Sequence, residues 1–172
     1  SSVQYEEQGT LTNAYTLSKS FCDQILELYM YPYGLQVTQM YYYSVYGPRE
    51  ADYGPYSTVV RRFKQKIEKK EPLEIFGNGS KERDFTYVGD VVTNMMQMLD
   101  DPKVSDCTVK ECHFGAGKPV SIKKLAEAFD YSYVHRFDIP GEAQTTKSMK
   151  PYGEYRGDVL EYIKQWRSNI DV

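Results

Sequence analysis

Leu35-Gln36-Val37-Thr38-Gln39-Met40-Tyr41-Tyr42-Tyr43 reads as a β-strand, because β-branched and aromatic residues dominate it. Upstream, Leu17, Phe21, Ile25 and Leu28 recur at helical spacing, which predicts an amphipathic helix over residues 12–33 with that stripe as its buried face. Thr12 or Asn13 can cap its start, and Pro32 with Gly34 marks its end. Downstream, Ser44-Val45-Tyr46-Gly47-Pro48-Arg49 is a loop announced by Gly-Pro. Helix, short turn and buried strand is the pattern of an α/β layer. Ligands of such sheets sit at the carboxyl ends of the strands, so the 44–49 loop is the expected site.

The rest of the chain continues the pattern. Residues 58–70 predict a helix buried through Val59, Val60, Phe63 and Ile67. Its Arg61, Arg62, Lys64, Lys66, Lys69 and Lys70 are expected on a solvated face. A strand at 72–76 leads into the turn Gly77-Asn78-Gly79-Ser80 and an extended segment at 83–88. Asp90 is the expected cap of a helix over 91–99, and Ser121 that of a helix running to Phe129. Strands are expected at 111–114 and 132–137, and a last helix at 158–166. Gly115-Ala116-Gly117-Lys118-Pro119 lacks the spacing of a phosphate cradle and reads as a plain turn.

Composition narrows the class. The chain of 172 residues is 41% hydrophobic and 26% charged, as globular domains are, and its length suggests one α/β unit over 1–172. A net charge of −3 argues against nucleic acid as a partner. No apolar run approaches the roughly 18–20 residues of a membrane span, and residues 1–7 lack the features of a signal peptide, so the cytoplasm is expected. Cys22, Cys107 and Cys112 have no metal-ligand spacing and suit reduced, packed thiols; His113 and His135 are too isolated for a metal site. The 17 tyrosines raise the odds of a ligand or partner surface.

Within the first helix, Tyr15 and Lys19 lie four apart and hence on one face. An ammonium one turn from a phenol favours the phenolate, which makes the pair an acid/base device.

Four stretches now combine: Ala14-Tyr15-Thr16-Leu17-Ser18-Lys19; Tyr41-Tyr42-Tyr43-Ser44-Val45-Tyr46-Gly47-Pro48-Arg49; Phe76-Gly77-Asn78-Gly79-Ser80-Lys81-Glu82-Arg83-Asp84-Phe85-Thr86-Tyr87-Val88; and Cys112-His113-Phe114-Gly115-Ala116-Gly117-Lys118-Pro119. In this order they resemble the later part of the extended short-chain dehydrogenase/reductase family, the NAD-dependent nucleotide-sugar epimerases and dehydratases. The resemblance implies the C-terminal part of a Rossmann-like fold, with late parallel strands and a small α/β substrate-binding lobe.

It also implies roles. Tyr15 and Lys19 would be catalytic and hold the NAD or NADP nicotinamide ribose, with Tyr42 and Val45 beside the nicotinamide. Arg83 would grip the nucleotide diphosphate, Phe76 would flank the base, and Ser44, Arg49 and Tyr56 would line the substrate pocket. Ser2 is either the catalytic serine across a shortened loop or no counterpart of it. The helix that carries Tyr15 and Lys19 implies a homodimer.

Departures are as informative. The glycine-rich turn of the dinucleotide-binding half is missing from these residues. Ile139-Pro140-Gly141-Glu142 resembles Arg-Pro-Gly-Asp/Glu with the diphosphate-binding arginine replaced, and Arg136 stands three residues earlier as a substitute cation. The expected function is thus a nucleotide-sugar epimerase or dehydratase in fragment or shortened form. The alternatives are a catalytically inactive binding or scaffold relative, or an enzyme whose other half comes from another chain.

Overall fold

The computed structural model describes residues 14–51, 57–101 and 109–170. The helix α1 (Ala14–Tyr33) leads to strand β1 (Val37–Tyr42), which pairs in parallel with β6 (Val109–Phe114). Gln39 and Tyr42 of β1 point to opposite faces. Gln39 Nε2 donates to Asp23 Oδ1 of α1 at 3.2 Å, and Tyr42 Oη donates to the sulfur of Met95 in α3 (Val88–Leu99) at 3.6 Å. The parallel pair is therefore sandwiched between α1 and α3, the helix–sheet–helix layering expected from the sequence. Beneath α3, Val91, Met98, Cys112 and Phe114 form one buried cluster, where Cys112 packs as a small apolar group.

A second and larger cluster surrounds strand β3 (Leu73–Phe76), which pairs in parallel with β8 (Tyr133–Arg136). The helices α2 (Val59–Glu68), α4 (Ile122–Ala128) and α5 (Val159–Ser168) close over it. Val60, Phe63, Ile67, Leu73, Leu125, Phe129 and Ile163 are its buried heart. The strand β2 (Val45–Tyr46) pairs in parallel with β5 (Thr86–Tyr87). Strand β4 (Glu82–Asp84) lies between antiparallel β7 (Pro119–Ser121) and parallel β9 (Thr145–Thr146).

The expected Ser121 cap is present, and two further helices are capped in the same local way. Thr58, Ser121 and Asp158 each accept backbone N–H bonds at the starts of α2, α4 and α5. Gly79 in the β3–β4 turn has φ +77°, and a Cβ there would stand 2.9 Å from Lys123 Cβ, so the turn requires glycine.

Three expectations are corrected. Asp90 does not cap α3, which starts two residues earlier; its Oδ2 accepts the N–H groups of Arg156 and Gly157 at 3.0 and 2.7 Å, tying α3 to the approach of α5. The α2 cations are not one solvated face: Lys64 is 5% exposed, donates to Tyr162 Oη at 2.9 Å and lies 4.2 Å from that ring's centroid. Burial pulls the Lys64 ammonium below its ordinary pKa. On α1, Leu17, Phe21, Ile25 and Leu28 are exposed, and the helix buries Thr16, Ser20 and Met30 instead. Small polar residues let α1 sit close against its neighbours, while the apolar stripe is uncovered among the described residues.

Candidate functional site

A cavity of about 470 Å³ opens between α2, the β3–β4 region and the 139–142 turn. Ser44, Phe76 and Arg83, named from the sequence, all line it. So do Lys81, Ile139 and Glu142, and the cations Arg62, Lys66 and Lys69, which recur at helical spacing on one face of α2. Arg62 and Lys69 are exposed, as expected of a solvated face, and they rim the cavity as well.

Strand β4 sets the floor. Arg83 Nη1 donates to the carbonyls of Glu82 at 2.8 Å and Ala143 at 3.0 Å, and Nη2 reaches Glu142 Oε2 at 3.3 Å. Burial pulls the guanidinium below its ordinary pKa and Glu142 opposes that, but arginine stays charged in proteins. Lys81 Nζ donates to Asp138 Oδ1 at 2.5 Å, and this bond holds the Asp138 carboxyl below the usual carboxylate range. Next to Arg83 along β4, Asp84, fully buried, turns the other way. Its carboxylate accepts N–H bonds from Gly117 (2.8 Å), Lys118 (3.2 Å) and Ser148 (2.9 Å). The glycine loop thus spends these amides on Asp84, in keeping with its reading as a turn.

The remaining residues fall outside the cavity lining. Arg136 makes two bonds to Glu74 Oε1, at 3.1 and 2.7 Å, and is no substitute cation in the cavity. Arg49 is exposed with φ 64°, Val45 packs against the cluster under α3, and Tyr42 stacks on Phe114 at 5.6 Å. Burial raises the Tyr42 phenol pKa. Tyr15 is 56% exposed at the start of α1, with Lys19 Nζ 5.5 Å from its ring centroid, and Ser18 Oγ donates to the Tyr15 carbonyl at 2.7 Å. Ser2 and Tyr56 lie outside the described residues.

Lys81 and Glu142 were missed as site residues. Their signal lay in a family-like stretch, yet nothing local shows that they meet across 61 positions.

Comparison with known proteins gives the chain its family. A family model described as the NAD dependent epimerase/dehydratase family matches residues 2–109. A putative UDP-glucose 4-epimerase of Methanocaldococcus jannaschii is 30% identical over 163 residues, which are 92% of this chain and 49% of that protein. Among solved structures, an epimerase of Methanothermobacter thermautotrophicus has a TM-score of 0.78 at 21% identity, covering 92% of this chain and 51% of that one. A UDP-glucuronic acid 4-epimerase of Bacillus cereus, in complex with UDP-glucuronic acid and NAD, has a TM-score of 0.73 at 21% identity, covering 91% and 54%. The chain spans about half the length of the curated relatives it matches, 44%, 40% and 49% for three of them.

Proposed function

This chain belongs to the NAD-dependent epimerase/dehydratase family, and from that premise we propose that it carries the acid/base helix and substrate lobe of a nucleotide-sugar epimerase or dehydratase. The observation that carries the reading is the cavity that gathers Ser44, Phe76 and Arg83, three residues singled out for substrate, around a partly buried guanidinium. A planar, always-charged fork suits phosphate oxygens, and an aromatic edge such as Phe76 suits a base.

In the proposed chemistry Tyr15 Oη takes the proton of a sugar hydroxyl. The accepting form is the phenolate, and Lys19, one turn away, is the cation that stabilises it before it becomes the phenol. Tyr15 and Lys19 would hold the nicotinamide end of bound NAD, which would supply the hydride acceptor for the carbon bearing that hydroxyl. Both side chains are exposed at the start of α1, open to the nicotinamide end of a cofactor. The amides of Gly117 and Lys118 are committed to Asp84, so that loop offers them to no pyrophosphate. These residues fit one end of the cofactor, and the other end is assigned to the half of the family's length that this chain does not span. The exposed Phe21, Ile25 and Leu28 supply a face for a homodimer through α1.

The test is the melting temperature with NAD⁺, NADP⁺ and a panel of nucleotide sugars. A ligand at a hundred times its dissociation constant stabilises the fold by roughly 2.7 kcal/mol, a readily measured shift. We expect UDP-sugars to raise it. If no nucleotide sugar does, the substrate-lobe reading is wrong.

A further inference from the structure

Lys81 and Arg83 stand two residues apart along one extended segment, so their side chains leave it on the same face. Both reach one oxygen: Lys81 Nζ lies 3.4 Å and Arg83 Nη2 3.3 Å from Glu142 Oε2. An ammonium has three donors. Those of Lys81 go to Asp138 Oδ1 at 2.5 Å, the Ile139 carbonyl at 3.3 Å and Glu142. The bonds to Glu142 are the longest that either cation makes, at the outer limit of hydrogen bonding. The lysine and arginine side chains are 11% and 16% exposed, against 38% for the glutamate. Two cations are nearly buried, and the anion between them is the more exposed and more loosely held partner.

We propose that Lys81 and Arg83 form a two-cation seat for the diphosphate of the ligand, and that the Glu142 carboxylate occupies this seat until the ligand displaces it. The proposal rests on the nucleotide-sugar reading and deepens it, because it adds Lys81 as a ligand contact and Glu142 as the group that yields. Removing an anion from two partly buried cations without replacement is costly, and a diphosphate supplies the replacement with charge to spare. Arginine contributes the fork and lysine the point charge. Asp138 and the Ile139 carbonyl hold the ammonium in place beforehand, so little freedom is lost on binding.

Calorimetric titration of the wild type, K81Q, K81R and E142Q with UDP and with inorganic pyrophosphate tests this. K81Q should weaken both ligands about tenfold, the scale of one charged hydrogen bond, and K81R should restore most of the loss. E142Q should bind pyrophosphate several-fold more tightly, because the competing carboxylate is gone. A folded K81Q with unchanged affinities overturns the seat, and E142Q binding pyrophosphate no tighter overturns the displacement. Should K81Q fail to fold, E142Q decides, since misfolding cannot mimic a gain. Wild type that binds pyrophosphate in this pattern but not UDP removes the nucleotide-sugar reading and keeps the seat. UDP binding that is indifferent to all three substitutions does the reverse.

Discussion

The Asp84 carboxylate accepts the N–H of Gly117 at 2.8 Å, across 33 residues of chain, and with Lys118 and Ser148 it completes a buried three-amide clamp. It joins β4 to the loop after β6 and so ties the cavity floor to the β1–β6 pair. Losing the carboxylate leaves these amides without their acceptor, so Asp84→Ala should cost on the order of 3 kcal/mol or more. Urea unfolding measures it; a loss below about 1 kcal/mol would show that the clamp is replaced by water.

Tyr15→Phe should leave stability nearly unchanged, because the side chain is 56% exposed. In the assembled enzyme the turnover should fall at least about a hundredfold, the lower range of acid/base catalysis. Retained turnover would remove Tyr15 from the proton transfer.

Arg83→Ala should weaken nucleotide-sugar binding by about 1.5–3 kcal/mol, the value of hydrogen bonds to a charged group. Calorimetry against UDP-glucose reads this directly. An unchanged affinity would make the guanidinium a strut for the Glu82 and Ala143 carbonyls alone.

His113 links stability to pH. Its Nδ1 is 2.9 Å from Tyr43 Oη and its ring stacks on Tyr41 at 4.9 Å. Burial, partly opposed by Glu111, holds its pKa below the ordinary value. A histidine depressed in the folded state binds its proton more readily when unfolded. Its stabilising contribution is therefore full above about pH 6.5 and is lost as pH falls below that. The melting temperature should decline from about pH 7 to about pH 5, and His113→Gln should flatten that decline. Equal slopes in both proteins would exclude His113 as the source.

Phe21→Glu places a charge in the exposed α1 stripe, where Phe21 and Ile25 are 52% and 53% exposed. Sedimentation should show a dimer that this substitution dissociates while far-UV circular dichroism stays the same. A wild type that is monomeric at every concentration would end the dimer reading.

The sequence by itself determined the order of the α/β elements and the Ser121 cap, whose partner lies three residues away. That cap needed no tertiary information, since its acceptor and donor share one turn, as they do at Thr58 and Asp158. It also singled out Ser44, Phe76 and Arg83, which the fold gathers at one cavity. Only the tertiary structure decided where long-range partners meet. Asp90 looked like a cap because capping is local chemistry, but its acceptor capacity is used 66 and 67 residues away. The α2 cations looked solvated because charge prefers water, and Arg62 and Lys69 are exposed at the cavity rim, yet Lys64 is buried on the Tyr162 ring. The α1 stripe looked buried because periodicity shows that a helix has two faces; what covers each face is set by elements distant in sequence.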